Sequence, residues 1–251
     1  MADDTILETR GLTMEFKGFV AVRDVNLRVR RGAIHALIGP NGAGKTTCFN
    51  LLTHFLTPTR GHIFYRGEEI TGMRPAAIAR RGLVRSFQIS AVFSKLSVLE
   101  NVRIALQRKD RHAFDFWRSG RALAKHHGRA HELIDAVGLT EFAATPAGEL
   151  PYGRKRALEI ATTLALDPEM MLLDEPTAGM THEDVERITA LIRRVAANRT
   201  VLMVEHNLSV VSTLSDRITV LARGEVLAEG DYAHVSKHPD VVAAYLGTAD
   251  A

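Results

Sequence analysis

Gly39-Pro40-Asn41-Gly42-Ala43-Gly44-Lys45-Thr46-Thr47 is the stretch on which the reading of this chain turns. The apolar run Ala33-Ile34-His35-Ala36-Leu37-Ile38 before it predicts a buried strand. Cys48-Phe49-Asn50-Leu51-Leu52 after it predicts the start of a helix. Strand, glycine loop and helix, with Gly-x-x-x-x-Gly-Lys-Thr across the turn, form the P-loop pattern. Phosphate oxygens are negative and must be met without steric conflict. Gly39, Gly42 and Gly44 lack a Cβ, so the backbone can curl and turn its N–H groups inward. The helix adds the positive end of its dipole. Lys45 is placed to reach the β- and γ-phosphates and the Thr46 hydroxyl to ligate Mg²⁺.

The chain has 251 residues, enough for one large α/β domain or two small ones. Hydrophobic residues are 46% and charged residues 24%, so a packed core is expected and global disorder is not. The net charge of +3 is small and the basic groups are scattered, as in Arg80-Arg81 and Arg154-Lys155-Arg156. They read as solvated faces, and no basic motif interleaved with aromatics points to nucleic acid. The single cysteine, Cys48, excludes an internal disulfide and a thiol-built zinc site. The acidic Met1-Ala2-Asp3-Asp4-Thr5 lacks the features of a signal peptide. No apolar run approaches the ~18–20 residues of a membrane helix. The expectation is a cytosolic chain that meets a membrane only at its surface or through another protein.

Upstream of the loop, residues 5–35 alternate apolar and polar positions and predict short antiparallel strands, punctuated by Gly11, Lys17-Gly18 and Arg31-Gly32. Phe16 lies in the first turn region, where an aromatic serves either as core or as a platform for a purine ring. Downstream, His62-Ile63-Phe64-Tyr65 with Arg66-Gly67 predicts a strand and hairpin end, and residues 75–81 a short helix. Leu83-Val84-Arg85-Ser86-Phe87 predicts a strand ending at Gln88, and residues 95–106 an amphipathic helix. The aromatic segment 112–118 reads as packing inside a helical lobe, and residues 121–137 as a helix closed by Gly138. Leu150-Pro151-Tyr152-Gly153-Arg154 opens another helix. Met170-Met171-Leu172-Leu173 and Thr200-Val201-Leu202-Met203-Val204 read as buried strands, with a helix over 183–197 between them. A hairpin turning at Arg223-Gly224 and a short helix after His238-Pro239 complete the chain.

Three buried strands thus end in polar groups: the P-loop, Asp174-Glu175 and His206. In a parallel sheet wound by helices, ligands bind beyond the carboxyl ends of the strands. Four apolar residues followed by Asp174 match the second P-loop ATPase motif, whose aspartate holds Mg²⁺. Glu175 is then placed to polarise the attacking water as general base.

With these motifs the sequence resembles, over about residues 6–247, the ATPase subunits of ATP-binding cassette (ABC) transporters. The resemblance makes Gln88 the Q-loop, a catalytic and Mg²⁺-side residue, and His206 the switch histidine. It makes Leu150, Pro151, Tyr152, Gly153 and Arg154 the signature that completes a partner's ATP site. It also places Phe16 at the adenine-stacking position. It implies an α/β P-loop NTPase fold: a RecA-like core with an antiparallel β lobe (about 1–92 and 158–251) and an α-helical lobe (about 93–157). It implies ATP and Mg²⁺, a second cassette (the same or different), two transmembrane permeases and an external substrate-binding protein. The place would be peripheral, on the cytoplasmic face of the inner (plasma) membrane. A finer resemblance, to the ATPases of branched-chain amino acid importers, rests on Val84 to Gln88, Tyr152-Gly153, Leu158-Glu159-Ile160-Ala161, and His238-Pro239-Asp240-Val241 with Ala244-Tyr245-Leu246-Gly247. That wider group also imports urea, short amides and aromatic acids.

Two departures stand out. The family signature is Leu-Ser-Gly-Gly-Gln, and here Pro151, Tyr152 and Arg154 replace its serine, first glycine and glutamine. The loop usually reading Ser-Ala-Leu-Asp is Ala178-Gly179-Met180-Thr181. Two other functions compete: a soluble cassette acting on DNA or ribosomes, and a nucleotide-gated module without turnover. The first usually carries a coiled-coil insertion or two cassettes; the second does not require both Glu175 and His206.

Overall fold

The computed structural model describes residues 4–86, 92–108 and 126–246. The chain divides into two compact units, one of Met1–Arg85, Glu169–Pro176 and Arg193–Ala251, the other of Ser86–Pro168 and Thr177–Ile192.

The first unit is built on two sheets. Strands β1 (Thr5–Phe16), β2 (Phe19–Val25), β3 (Arg28–Arg30), β5 (Arg60–Tyr65) and β6 (Glu68–Glu69) form an antiparallel sheet. β1 is longer than the alternation predicts. Gly11 does not end it: Gly11 sits at φ +59 while its N–H donates to Asn26 Oδ1 at 2.8 Å, and the β1–β5 register slips between Arg10 and Thr13. The glycine is a bulge inside a strand.

The second sheet runs in the order β11-β10-β4-β9-β8-β7, with β4 (Ile34–Ile38), β7 (Leu83–Ser86), β8 (Met170–Asp174), β9 (Thr200–Val204), β10 (Arg217–Ala222) and β11 (Glu225–Gly230). β10, β4, β9 and β8 are mutually parallel, and β11 is an antiparallel edge. Every residue of β4, β8 and β9 is buried, the mark of a sheet covered on both faces. Three hairpin turns, Lys17-Gly18, Arg66-Gly67 and Arg223-Gly224, have positive φ at both central residues. That is the turn whose twist suits two-residue hairpins.

Helix α1 (Lys45–Leu52) contributes Cys48, Phe49, Leu51 and Leu52 to a single apolar core shared with Ile6, Leu12 and Tyr65 of the antiparallel sheet and Leu172, Leu202 and Val204 of the other. Burial pushes the Cys48 thiol up to about 12, so it packs as an inert apolar group. A short helix α2 (Pro75–Arg80) precedes β7.

The second unit is helical. α3 (Val98–Gln107) starts with a capping box: Ser97 Oγ accepts from the Glu100 N–H, and the Glu100 carboxylate accepts from the Ser97 N–H. This cap moves the start three residues past the predicted Lys95. α4 (His127–Ala136) ends before Gly138 at φ +71, and α5 (Tyr152–Ala165) packs against both α3 and α4. α6 (His182–Ala196) begins in this unit. α7 (Leu208–Leu214), which periodicity does not reveal, is capped by Asn207, whose Oδ1 accepts from Ser209 and Val210. α8 (Tyr232–Val235) and α9 (Pro239–Leu246) close the described chain. The aromatic segment 112–118 lies outside the described residues.

Candidate nucleotide site

The parallel pairing brings the predicted strand ends to one edge. Leu37 of β4 and Asp174 of β8 both pair with Val204 of β9. The residues that follow are therefore Gly39 onward, Glu175 and Glu205-His206. The P-loop, the acidic pair and the histidine lie at the carboxyl end of the same sheet.

The loop from Gly39 to Thr47 is held tightly. A Cβ on Gly39 would meet the Leu221 carbonyl oxygen at 2.1 Å, and one on Gly44 the Ala21 carbonyl oxygen at 2.6 Å. Their φ values of +152 and +100 lie where L side chains rarely sit, so sterics and backbone conformation both require glycine. The N–H of Gly224, in the β10–β11 turn, donates to the Ala43 carbonyl at 3.0 Å. Gly44 stands at the N-cap of α1 without a side-chain cap, which leaves first-turn N–H groups for an anion. Pro40, Asn41 and Gly42 form the outer part of the loop, and Thr46 and Thr47 lie in the first turn of α1.

Lys45 is 9% exposed, and its ammonium donates to the carbonyls of Gly39 at 2.6 Å and Pro40 at 2.9 Å. Burial lowers its pKa, opposed by the negative charges of Glu175 and Asp174.

Asp174 is 1% exposed and ion-paired to Arg85 of β7 at 2.5 Å. Glu175 follows in the left-handed region at φ +44, its N–H bonded to the Val204 carbonyl at 2.9 Å. A non-glycine residue held there costs on the order of 1–3 kcal/mol, the kind of strain that collects at working sites. His206 is exposed. The loop carrying it is fixed by Glu205, a fully buried carboxylate that accepts the N–H of His206 at 2.9 Å and of Asn207 at 3.1 Å. Phe16, at the end of β1, is 41% exposed, enough for one face to receive a planar ring. Gln88 lies outside the described residues.

The residues expected to form the signature belong to the second unit. Leu150 is buried, and Pro151 directly precedes α5, its carbonyl accepting from the N–H of Arg154 at 3.0 Å and Lys155 at 2.9 Å. Tyr152 is 58% exposed. The Arg154 guanidinium lies 4.0 Å from the centre of the Phe142 ring. Behind them Arg156 and Glu159 form a buried pair at 2.6 Å, although burial still raises the Glu159 pKa.

Sequence reasoning missed Arg85 and Glu205 as site residues. Both left a signal: a charge directly after the apolar Leu83-Val84 of a strand, and a carboxylate directly before an expected histidine.

A phosphate cradle, a buried aspartate, an acidic neighbour and an exposed histidine on one edge of a parallel sheet define a P-loop ATPase. Residues 22–178 match the family described as ABC transporter, and the chain belongs to this family of ATPase cassettes that couple ATP hydrolysis to transport. Residues 225–251 match a further family, described as branched-chain amino acid ATP-binding cassette transporter. The high-affinity branched-chain amino acid transport ATP-binding protein BraF of Pseudomonas aeruginosa is 42% identical over 97% of this chain and 98% of its own. Its counterpart LivG of Escherichia coli K12 is 39% identical over the same shares. The ADP conformation of MJ1267, an ATP-binding cassette of an ABC transporter, superposes with a TM-score of 0.85 at 29% identity, over 97% of this chain and 99% of that one.

Proposed function

We propose that this chain is the ATP-hydrolysing subunit of an importer for branched-chain amino acids or related small amides and aromatic acids. The observation that carries the ATPase part is the meeting of the P-loop, Asp174-Glu175 and His206 at one sheet edge. The match of residues 225–251 and the names of the relatives support the substrate class.

The donor set fits a hard cation beside a triphosphate. Mg²⁺ is commonly held by one or two carboxylates, a hydroxyl and phosphate oxygens, and needs no cage of protein ligands. Thr46 and Asp174 supply the hydroxyl and the carboxylate; among the described residues no cluster of three or more His, Cys, Asp or Glu competes for a metal. Bound there, Mg²⁺ would neutralise charge on the β- and γ-phosphates. The loop N–H groups and the Lys45 ammonium hold the phosphates, and the Phe16 ring takes the purine. Glu175 accepts a proton from a water as the water oxygen bonds to the γ-phosphorus. The bond to the β–γ bridging oxygen breaks, giving ADP and inorganic phosphate. His206 and, by the family resemblance, Gln88 would act on the γ-phosphate.

Leu150 to Arg154 would complete the nucleotide site of a second cassette. The permeases would dock near Val92, Phe93 and Leu96, where Phe93 is 55% exposed. No helix among the described residues is long and apolar enough to cross a membrane, so attachment at the cytoplasmic face would come through those partners. The test is reconstitution with the permeases, the second cassette and the external substrate-binding protein, measuring phosphate release and uptake of leucine, a short amide and an aromatic acid. Phosphate release that no such substrate stimulates would reject the substrate class. A Phe93→Arg variant should keep ATP binding and lose uptake.

A further inference from the structure

Arg85 has no part in the chemistry described above, yet its side chain, only 9% exposed, lies against the Asp174 carboxylate. Its guanidinium joins side chains from two elements of one unit. Nη1 donates to Asn50 Oδ1 at 2.6 Å, Nη2 donates to Asp174 Oδ2 at 2.5 Å, and its carbon lies 5.7 Å from the centre of the Phe49 ring. Asn50 and Phe49 belong to α1, and Asp174 ends β8. Asn50 follows Thr46 by four residues in α1, so the two share one helix face. One side chain therefore bridges the helix that carries the Thr46 hydroxyl and the strand end that carries the Asp174 carboxylate.

We propose that Arg85, with Asn50 as its anchor, is a positioning residue for the divalent cation: it sets the Thr46 hydroxyl and the Asp174 carboxylate at a working separation. A planar guanidinium with its donors in a fixed fork suits this task, because two acceptors bound to it are held at one relative geometry. A lysine ammonium keeps the charge and loses the fork. Arg85 also supplies the counter-charge that a carboxylate 1% exposed requires. A carboxylate has about four lone-pair positions, so a bond to Arg85 and ligation of a cation are compatible at Asp174.

The inference rests on the assignment of Thr46 and Asp174 to Mg²⁺, and the test separates the two. ATP binding to the purified chain is measured calorimetrically in EDTA and across a Mg²⁺ titration, with bound Mn²⁺–ATP followed by electron paramagnetic resonance. Four proteins are compared: the parent, Arg85→Lys, Asn50→Ala and Asp174→Asn. Loss of an outer-sphere partner typically weakens a metal about 10–100-fold. Arg85→Lys and Asn50→Ala should each raise the Mg²⁺ needed for half-maximal tightening at least about tenfold, leave ATP binding in EDTA within about twofold, and broaden the Mn²⁺ signal. An unchanged Mg²⁺ requirement in both, beside a loss in Asp174→Asn, would overturn the role of Arg85. Equal weakening with and without metal would overturn it too, as general damage. A normal Mg²⁺ requirement in Asp174→Asn would remove the cation assignment and this inference with it.

Discussion

Gly153 of the signature lies against the Asp184 carboxyl: a Cβ on Gly153 would fall 2.5 Å from both Cγ and Oδ1. Asp184 cannot easily yield, because Arg187 Nη1 donates to its Oδ1 at 2.7 Å and Thr181 Oγ1 to its Oδ2 at 3.2 Å. Tyr152 begins α5, so the carboxylate also sits beside the positive end of a helix dipole. Gly153→Ala should destabilise the chain by about 1–3 kcal/mol, an overpacking cost. Adding Asp184→Ala should recover part of that. Denaturant midpoints of the single and double variants check it; a Gly153→Ala midpoint equal to the parent would show that the carboxyl moves aside freely.

Glu175 is the acidic group at the end of β8 whose backbone is held in a strained conformation at φ +44. Its neighbour Asp174 is ion-paired to Arg85. Glu175→Gln keeps size and removes the carboxylate proposed as the base, and removing a positioned general base costs about 10²–10⁴-fold in rate. ATP should still bind, with phosphate release falling by that factor. Turnover within a few-fold of the parent would assign the base elsewhere.

The P-loop, the Asp174-Glu175 step and the three Lys/Arg-Gly hairpin turns are local: residue type and spacing dictate the backbone. Gly11 is local too, yet a glycine in an alternating run fits a turn or a bulge, and only pairing with β5 decides between them. Arg85 meets Asn50 across 35 residues and Asp174 across 89. No spacing rule spans such distances, so the bridge emerges only when β7, β8 and α1 are packed together. The same holds for Gly153 and Asp184, which meet only once α5 and α6 have formed.

His35 carries a pH dependence away from the chemistry. It is fully buried in β4, and its Nε2 lies 2.8 Å from Thr219 Oγ1. The Thr219 hydroxyl donates to Glu229 at 2.9 Å, so the imidazole Nε2–H is the donor to Thr219. Burial lowers the His35 pKa from 6.5 to about 4, helped by Arg217 and opposed by Glu229. The folded value lies below the unfolded one, so the unfolded chain takes up the proton first as pH falls. Stability present above about pH 6.5 is thus lost progressively toward pH 4, on the order of 3 kcal/mol in all. His35→Gln should be less stable than the parent at pH 7.5 and lose less between pH 6.5 and 4.5. Parallel acid limbs in the two unfolding curves would show that His35 does not titrate in this window.

Pro151 bears on how two cassettes share the work. Where the family signature has a serine hydroxyl, Pro151 has no side-chain donor and no N–H. A hydrogen bond to a charged phosphate is worth about 1.5–3 kcal/mol, so its loss should slow the site this signature completes about tenfold or more. Arg154 is the neighbouring group with the chemistry to compensate, but its guanidinium lies over the Phe142 ring at 4.0 Å, and reaching a phosphate would forfeit that contact. Tyr152, 58% exposed, has a hydroxyl on a longer arm. With a different second cassette, the two ATP sites then turn over unequally. Pro151→Ser in this chain alone should raise ATP turnover of the assembled transporter, and replacing the partner cassette's P-loop lysine should abolish the gain. A Tyr152→Phe variant run beside it separates the remaining cases: a further fall would identify the tyrosine hydroxyl as the substitute donor. No change in Pro151→Ser together with a loss in Tyr152→Phe would mean the native signature already closes its site fully.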